Sequence, residues 1–309
     1  MISNRFENTK PINLLLIFTA LLFGLFLYEY FIFENPWDWK HILTRVGSLL
    51  LLLVSMTFLN KIDRWNELTE NNSYSIFFFA IFSIIFPFIF NNPALVASNL
   101  LIIISIWRIM TLKTEENVPQ KIFDASFLIV CAGLLNVWAF IFLLNIWISL
   151  LFYGSKKRKY WLIPFLALFC VVILLTAALL VFKLPYQVPA FEKLWRFDYR
   201  EMLFLPMLIS LIIMAVMFVL SLVVYFFKSK YHSGSSQLIV QFLVVGLVAV
   251  FFSKEPIFIF AQLSILFALY IEKIERFWLK ETILWLFLAI PLSVLLLHFV
   301  AKSQIAGIS

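Results

Sequence analysis

The sequence has little charge. Asp, Glu, Lys and Arg account for 13% of its 309 residues, whereas hydrophobic residues account for 63%. A typical soluble domain is about 25% charged and about 45–50% apolar, so this composition does not suit a surface in water. Apolar runs recur from Ile12 to Val300, and a helix that spans a bilayer needs roughly 20 such residues. These features predict an all-α, polytopic transmembrane helical bundle that forms a single integral membrane domain over residues 1–309.

Cysteine and glycine are also scarce. Cys131 and Cys170 lie in apolar runs, with neither a CxxC spacing nor a neighbouring His, which argues against a disulfide or a metal site. The seven glycines include no pair four residues apart, so helix packing of the GxxxG type is absent. We therefore expect a fixed bundle rather than helices that slide past each other, which disfavours a coupled transporter.

Several motifs of known enzyme classes are missing. The chain contains no GxGxxG, P-loop, HExxH or GxSxG pattern, and we expect no cofactor and no metal. The net charge of +7 raises the question of nucleic acid as a partner. However, the basic residues cluster in the loops between apolar runs, which is the positive-inside pattern of membrane proteins. We expect membrane lipids as partners and no nucleic acid.

The apolar runs predict about eleven spans. They cover residues 12–33, 42–59, 75–90, 94–112, 123–135, 137–153, 161–182, 202–227, 237–252, 256–271 and 281–300. Asn136 lies in the middle of the stretch 123–153 and favours a hairpin of two short helices there. One long tilted helix would instead reduce the count to ten. The first run lacks a small-x-small cleavage site, so we interpret it as a retained span.

Lysine and arginine predict the orientation. With the N-terminus inside, the inner segments carry about twice as many Lys and Arg residues as the outer ones, and the strongest cluster, SKKRKY, lies inside. We therefore place the N-terminus in the cytoplasm. The long outer segments are then residues 34–41 and 183–201. In the second segment, apolar residues at helical spacing after the prolines predict a short helix in the membrane interface.

The two outer segments carry a candidate catalytic site. They contain the candidate catalytic carboxylates, Glu34 and Asp38, and the candidate substrate-binding side chains, His41, Lys193, Arg196 and Arg200. Arg and Lys can hold the phosphate of a phosphate-linked lipid, while Asp38 or Glu34 acts as general base. The alternative is an aromatic belt at headgroup level with ordinary solvated charges.

A weak internal repeat suggests a second site. Three hairpins with the turns IFNNPAL, GLLNVWA and FSKEPIF share one predicted orientation. Pro93 and Pro256 open the returning helix in two of them, and a carboxamide follows six residues later, at Asn99 and Gln262. The middle hairpin fits less well, because Asn145 comes nine residues after Asn136. Six residues at 1.5 Å each place the other two amides about 9 Å below the outer turn. They can line one cavity open to the outside, or they can form hydrogen bonds between helices.

Two resemblances extend this interpretation. The stretches ENTKPIN and FDASFLIVCAGLLNVWAFIFLLNIWISLLFYGSKKRKYW resemble uncharacterised multi-span proteins of the Bacteroidetes type, which implies the bacterial inner membrane and no established activity. The topology, with Asp38 or Glu34 in the first outer loop, is similar to membrane glycosyltransferases of the GT-C type. That resemblance implies a polyprenyl-phosphate-linked substrate. The chain is shorter than members of that class and has no large outer domain.

Three functions follow as hypotheses. The first is the handling or transfer of polyprenyl- or other lipid-linked intermediates in cell-envelope biogenesis. The second is a non-catalytic scaffold or subunit of a larger complex, with another membrane protein as its partner. The third is a transporter or flippase that works through Asn99, Asn145 and Gln262.

Overall fold

The all-α class is confirmed. A computed structural model describes the backbone of residues 2–7, 11–31, 39–70, 72–152, 158–183, 205–228 and 234–306, and no strand occurs among them. The α-helices are α1 (Ile2–Phe6), α2 (Pro11–Phe31), α3 (Trp39–Trp65), α4 (Tyr74–Ile85), α5 (Pro93–Met110), α6 (Val118–Leu135), α7 (Leu143–Phe152), α8 (Ile163–Phe182), α9 (Leu205–Lys228), α10 (Gly234–Ser253), α11 (Ile257–Glu272) and α12 (Phe277–Ala306). Short 3-10 helices cover Pro87–Asn91, Thr111–Thr114, Val137–Phe142 and Arg158–Leu162.

The apolar helices fall on the predicted spans. By length and composition, 6 helical stretches in the described part of the chain can cross a membrane: Ile12–Glu29, Trp39–Trp65, Pro93–Thr114, Val118–Leu135, Arg158–Phe182 and Phe277–Val294. The shorter apolar stretches, of 10–17 residues, are Tyr74–Ile85, Val137–Phe152, Leu211–Val223, Gln237–Ser253 and Ile257–Glu272. These helices indicate an integral membrane protein. The side of the membrane that holds the N-terminus stays a prediction.

The predicted break in the stretch 123–153 is confirmed. Helix α6 ends at Leu135, and Asn136 adopts an extended backbone with φ −144° and ψ 115°. The Asn136 side chain accepts a hydrogen bond from the backbone N–H of Trp138 at 3.1 Å, which starts the following 3-10 helix. The alternative of one long tilted helix is therefore wrong, because the chain turns at a residue whose side chain competes for backbone hydrogen bonds.

The contacts within the chain group it into two compact units. The first comprises Met1–Pro93, Tyr199–His232 and Phe260–Ser309, and the second comprises Ala94–Asp198 and Ser233–Ile259. This grouping leaves the expectation of a single integral membrane domain as a prediction.

Phenylalanine forms the core of the first unit. Phe78 and Phe82 of α4 are fully buried against Phe267 of α11 and Phe287 of α12. The Phe78 and Phe287 rings meet edge to face, with centroids 5.2 Å apart at 83°. Edge-to-face contact is a favoured arrangement of aromatic rings. Helix α4 is short, apolar and buried along its whole length, as expected for a helix that is hydrophobic on all sides.

In the second unit, α6 packs against α7, α8 and the 3-10 helix 137–142. Phe142 is fully buried, with its ring centroid 5.9 Å from that of Phe258. Helix α8 is exposed over most of its apolar surface, including Phe169 and Leu174. An exposed apolar helix of this length is typical of contact with lipid.

The hairpin at Asn136 depends on close packing at Gly133. A Cβ at Gly133 would lie 2.7 Å from ring atoms of Phe140, whereas a Cβ at Gly47 of α3 would meet nothing within 4 Å. We expect Gly133→Ala to lower the free energy of unfolding by roughly 1–3 kcal/mol through overpacking. The control Gly47→Ala should cause no loss, because Ala is the better helix former. Thermal unfolding in one detergent compares the two variants, and equal midpoints would contradict this packing.

Candidate functional site

Helices α2, α4 and α12 of the first unit border a groove, which we call the α2 groove. Its volume is about 510 Å³. Its lining includes Ile17, Ala20 and Gly24 of α2, Ala80 of α4, and Trp285 and Pro291 of α12. Arg5 of α1 reaches one end, and Tyr28 of α2 lies at the other; Arg5 is the charged residue among the described residues that line it. The groove is therefore an apolar space with one cationic end.

Small residues on one face of α2 explain the groove. Ile17, Ala20, Gly24 and Tyr28 recur at intervals of three or four residues, so they share a helix face. A Cβ at Gly24 would lie 3.1 Å from the side chain of Ile84, which shows that α2 runs close to α4 at this point. Ala20 has too small a side chain to fill the space beside this contact.

The groove is open along one side of the helices that form it. Ile17 and Ala80 are each 3% exposed and form its floor, whereas Phe23 and Trp285 are 60% and 56% exposed and form its rims. From Leu16 to Tyr28 the groove follows α2 for about 18 Å at 1.5 Å per residue. That length exceeds half of a hydrocarbon core about 30 Å thick, so one extended lipid chain matches its length.

Polar contacts from three elements hold α1 at the end of the groove. The Tyr74 hydroxyl donates to the Ser3 carbonyl at 3.1 Å, and the Ser3 backbone N–H donates to Glu281 Oε2 at 3.0 Å. The Asn13 side chain donates to the Arg5 carbonyl at 2.7 Å. A five-residue helix is not stable by itself, so these contacts determine where α1 places Arg5.

The Arg5 guanidinium forms no ion pair with any described residue, because the charged groups near α1 have other partners. Lys280 Nζ lies 3.5 Å from Glu7 Oε1 and also packs over the Tyr74 ring. The Glu281 carboxylate accepts the Ser3 N–H. The neighbouring charges thus have protein partners, while Arg5 is exposed.

Two carboxyl groups, the buried Asp63 and the half-buried Glu272, hold the segment around the start of α4. Asp63 Oδ2 accepts a hydrogen bond from the Ser75 hydroxyl at 2.6 Å, and Glu272 Oε1 accepts from the Glu70 N–H at 2.9 Å and from the Asn72 side chain.

An ion pair lies at the opposite end of α2. Arg45 of α3 pairs with Glu29 and donates from Nε to Asn91 Oδ1 at 3.0 Å. Arg45 is 5% exposed. The neighbouring Tyr28 hydroxyl is buried and has no hydrogen-bond partner among the described residues. In contrast to the Arg5 end, the cation here is neutralised.

The residues predicted as an outer site are mostly outside the described part of the chain. The structure does not describe five of them: Glu34, Asp38, Lys193, Arg196 and Arg200. The interface helix predicted within 183–201 also falls outside the described residues.

The remaining predicted residues are described. His41 is exposed near the start of α3. Asn99 and Asn145 are fully buried in the second unit, and Gln262 is buried in the first. That these three amides face one common cavity stays a prediction.

The buried amides of the second unit differ in their hydrogen bonding. Gln241 Nε2 donates to the Asn145 carbonyl at 2.9 Å and to Asn145 Oδ1 at 3.1 Å. Neither side-chain atom of Asn99 has a hydrogen-bond partner in the described part of the chain. Asn145 thus forms a bond between helices, as the structural alternative expects, whereas Asn99 has no such explanation.

One local pattern indicates the α2 groove, although a search for pairs of glycines alone misses it. Ala20 and Gly24 are small residues four apart, and small-xxx-small pairs allow close helix approach just as GxxxG does. A search for Ala as well as Gly finds this pair. It does not find Ala80 or Pro291, which come next to it only through tertiary packing.

Comparisons with protein-family models, curated proteins and solved structures find no match to this chain. Among the described residues, no group of three or more His, Cys, Asp or Glu side chains is arranged to hold a metal ion. The α2 groove and its two ends are therefore the candidate functional site.

The Glu29–Arg45 pair should stabilise the protein more than the pair of Arg108 with Asp124. Arg45→Met leaves the Glu29 carboxylate, whose side chain is only 15% exposed, without its buried cation, and losing one partner of such a pair costs up to roughly 3–5 kcal/mol. Arg108→Met removes a pair whose side chains are 36% and 38% exposed, for which about 0–1 kcal/mol is expected. Unfolding in detergent measures both losses, and adding Glu29→Gln to Arg45→Met should recover most of the first. Equal losses would contradict the buried pair.

Proposed function

We propose that this integral membrane protein handles lipid-linked intermediates by holding their apolar chain in the α2 groove. The supporting observation is a groove of about 510 Å³ with a cation, Arg5, at one end that has no ion pair among the described residues. Its volume falls in the range of roughly 300–1,000 Å³ that ligand pockets occupy. The bacterial inner membrane and a role in cell-envelope biogenesis follow from the sequence resemblances and belong to the same proposal.

Shape and charge, rather than hydrophobicity, have to select the ligand. Lipid tails are as apolar as the leucine side chains of a helix, so moving a chain from bilayer to groove gains little from the hydrophobic effect. Close packing along Ala20 and Gly24 favours one narrow chain. The proposal concerns binding, and it assigns no group-transfer step to Glu34 or Asp38.

Filling the groove should prevent lipid binding. Ala20→Phe adds a ring to the groove, whereas Ala177→Phe adds the same ring to the exposed surface of α8. We expect binding of a labelled long-chain prenyl phosphate to protein in nanodiscs to weaken at least about tenfold in Ala20→Phe, a change of about 1.4 kcal/mol. Ala177→Phe should bind like the wild type. Unchanged binding in a folded Ala20→Phe protein would contradict the proposal.

Asn99 favours transport as a second candidate function. Its amide is fully buried, and neither of its polar atoms is hydrogen-bonded within the described residues. An unsatisfied buried amide costs about 1–3 kcal/mol per group, so a polar ligand or water pathway at Asn99 would recover that energy.

Thiol labelling tests the transport candidate. In a protein without Cys131 and Cys170, transport predicts that Asn99→Cys reacts with a small water-soluble thiol reagent and that substrate changes the rate. Ser98→Cys is the matched control, because Ser98 is equally buried and hydrogen-bonds to the Ala132 carbonyl at 3.0 Å. Complete protection of Asn99→Cys would exclude a water-filled path at this position.

A further inference from the structure

We infer that Arg5 binds the phosphate of the lipid whose chain lies in the α2 groove, so that α1 recognises the headgroup. This inference rests on the proposed function and adds the class of headgroup and its position. The ligand is a single-chain lipid that ends in a phosphate ester.

The charge on Arg5 is available for a ligand. Of the charged groups near α1, Lys280 is paired with Glu7, and Glu281 accepts the Ser3 N–H. Arg5 is exposed, lines the groove and has no ion pair in the described part of the chain. A guanidinium in this state can form two parallel hydrogen bonds to one phosphate.

The position of Arg5 is fixed relative to the groove. The Arg5 carbonyl accepts from Asn13 on α2, and the next carbonyl, that of Phe6, accepts from the Ser73 N–H at 2.8 Å. The Phe6 side chain is 8% exposed, lies in the groove and packs 4.9 Å from Phe77, centroid to centroid. The backbone that carries the guanidinium is therefore attached to both α2 and the segment before α4.

The two ends of the groove give the bound lipid a direction. The cation at the Tyr28 end, Arg45, is paired with Glu29, whereas Arg5 has no such partner in the part of the chain that the structure describes. An anionic headgroup is therefore stabilised at the α1 end, with its chain pointing toward Tyr28. In the membrane orientation predicted from the Lys and Arg residues, the bound headgroup then lies at the cytoplasmic leaflet.

The experiment compares two ligands that differ only in the phosphate. A long-chain prenyl phosphate and the prenol of the same length are bound to the full-length protein in nanodiscs of neutral lipid. We expect the wild type to prefer the phosphate about tenfold, because hydrogen bonds to charged groups are the stronger ones. Arg5→Gln should bind the prenol as the wild type does and lose the preference. Arg5→Lys should keep part of it, since Lys keeps the charge but not the fork of donors.

A matched control separates Arg5 from net charge. Arg158→Gln removes an exposed arginine at the start of the 3-10 helix before α8, and it should keep the full preference. An Arg5→Gln protein that still prefers the phosphate would overturn the inference. So would displacement of the prenyl phosphate by an equal concentration of inorganic phosphate, because the site would then be one for free anions.

The result also distinguishes this inference from the proposed function. If the wild type binds both ligands equally and Ala20→Phe binds neither, the groove holds a chain and Arg5 does not read its headgroup. If the wild type binds neither ligand, both the proposed function and the inference are wrong.

Discussion

The α2 groove depends on the close contact of α2 with α4 at Gly24. Helices in a bilayer gain little from hydrophobic burial, so their association depends on packing and on polar contacts. With a Cβ at Gly24, the Ile84 side chain would be only 3.1 Å away, and a larger residue would separate the helices. Ala20, one turn earlier on the same face, continues the small surface but meets no filling side chain. The same two residues therefore hold α2 in place and create the space beside it.

Polar groups give the groove its asymmetry. An unsatisfied polar group costs several kcal/mol in hydrocarbon, and the chain supplies internal partners for most polar groups at the two ends of α2, with the Tyr28 hydroxyl as an exception among the described residues. At one end Arg45 is neutralised by Glu29. At the other, the polar contacts of Tyr74 and Glu281 are used to hold α1, and the charge of Arg5 stays available. This difference gives the binding site a direction, and no buried charge lies among the described residues that line the groove.

The sequence predicts the helices of this protein better than its candidate site. Apolar runs and the polar Asn136 place the helices and the break in 123–153, because both signals are local. The docking of α1 is not local, since Ser3 and Glu281 are 278 residues apart in the chain. The sequence contains a local indication of the Glu29–Arg45 pair, because the two opposite charges lie at neighbouring ends of consecutive predicted spans. The carboxylates Glu34 and Asp38 are recognisable in the sequence as candidate catalytic groups, whereas the small residues that leave space for the α2 groove, Ala20 and Gly24, carry no reactive group.

The most direct test of the account is native mass spectrometry of the wild-type protein, gently extracted from its membrane, with lipid analysis of what remains bound. The account predicts one phosphate-bearing, single-chain lipid per protein, retained when bulk phospholipid is removed. Its position in the α2 groove predicts that it is absent from Ala20→Phe and present in Ala177→Phe. A spectrum with bulk phospholipid alone, or with a stoichiometric protein partner and no such lipid, would contradict the account and favour a scaffold.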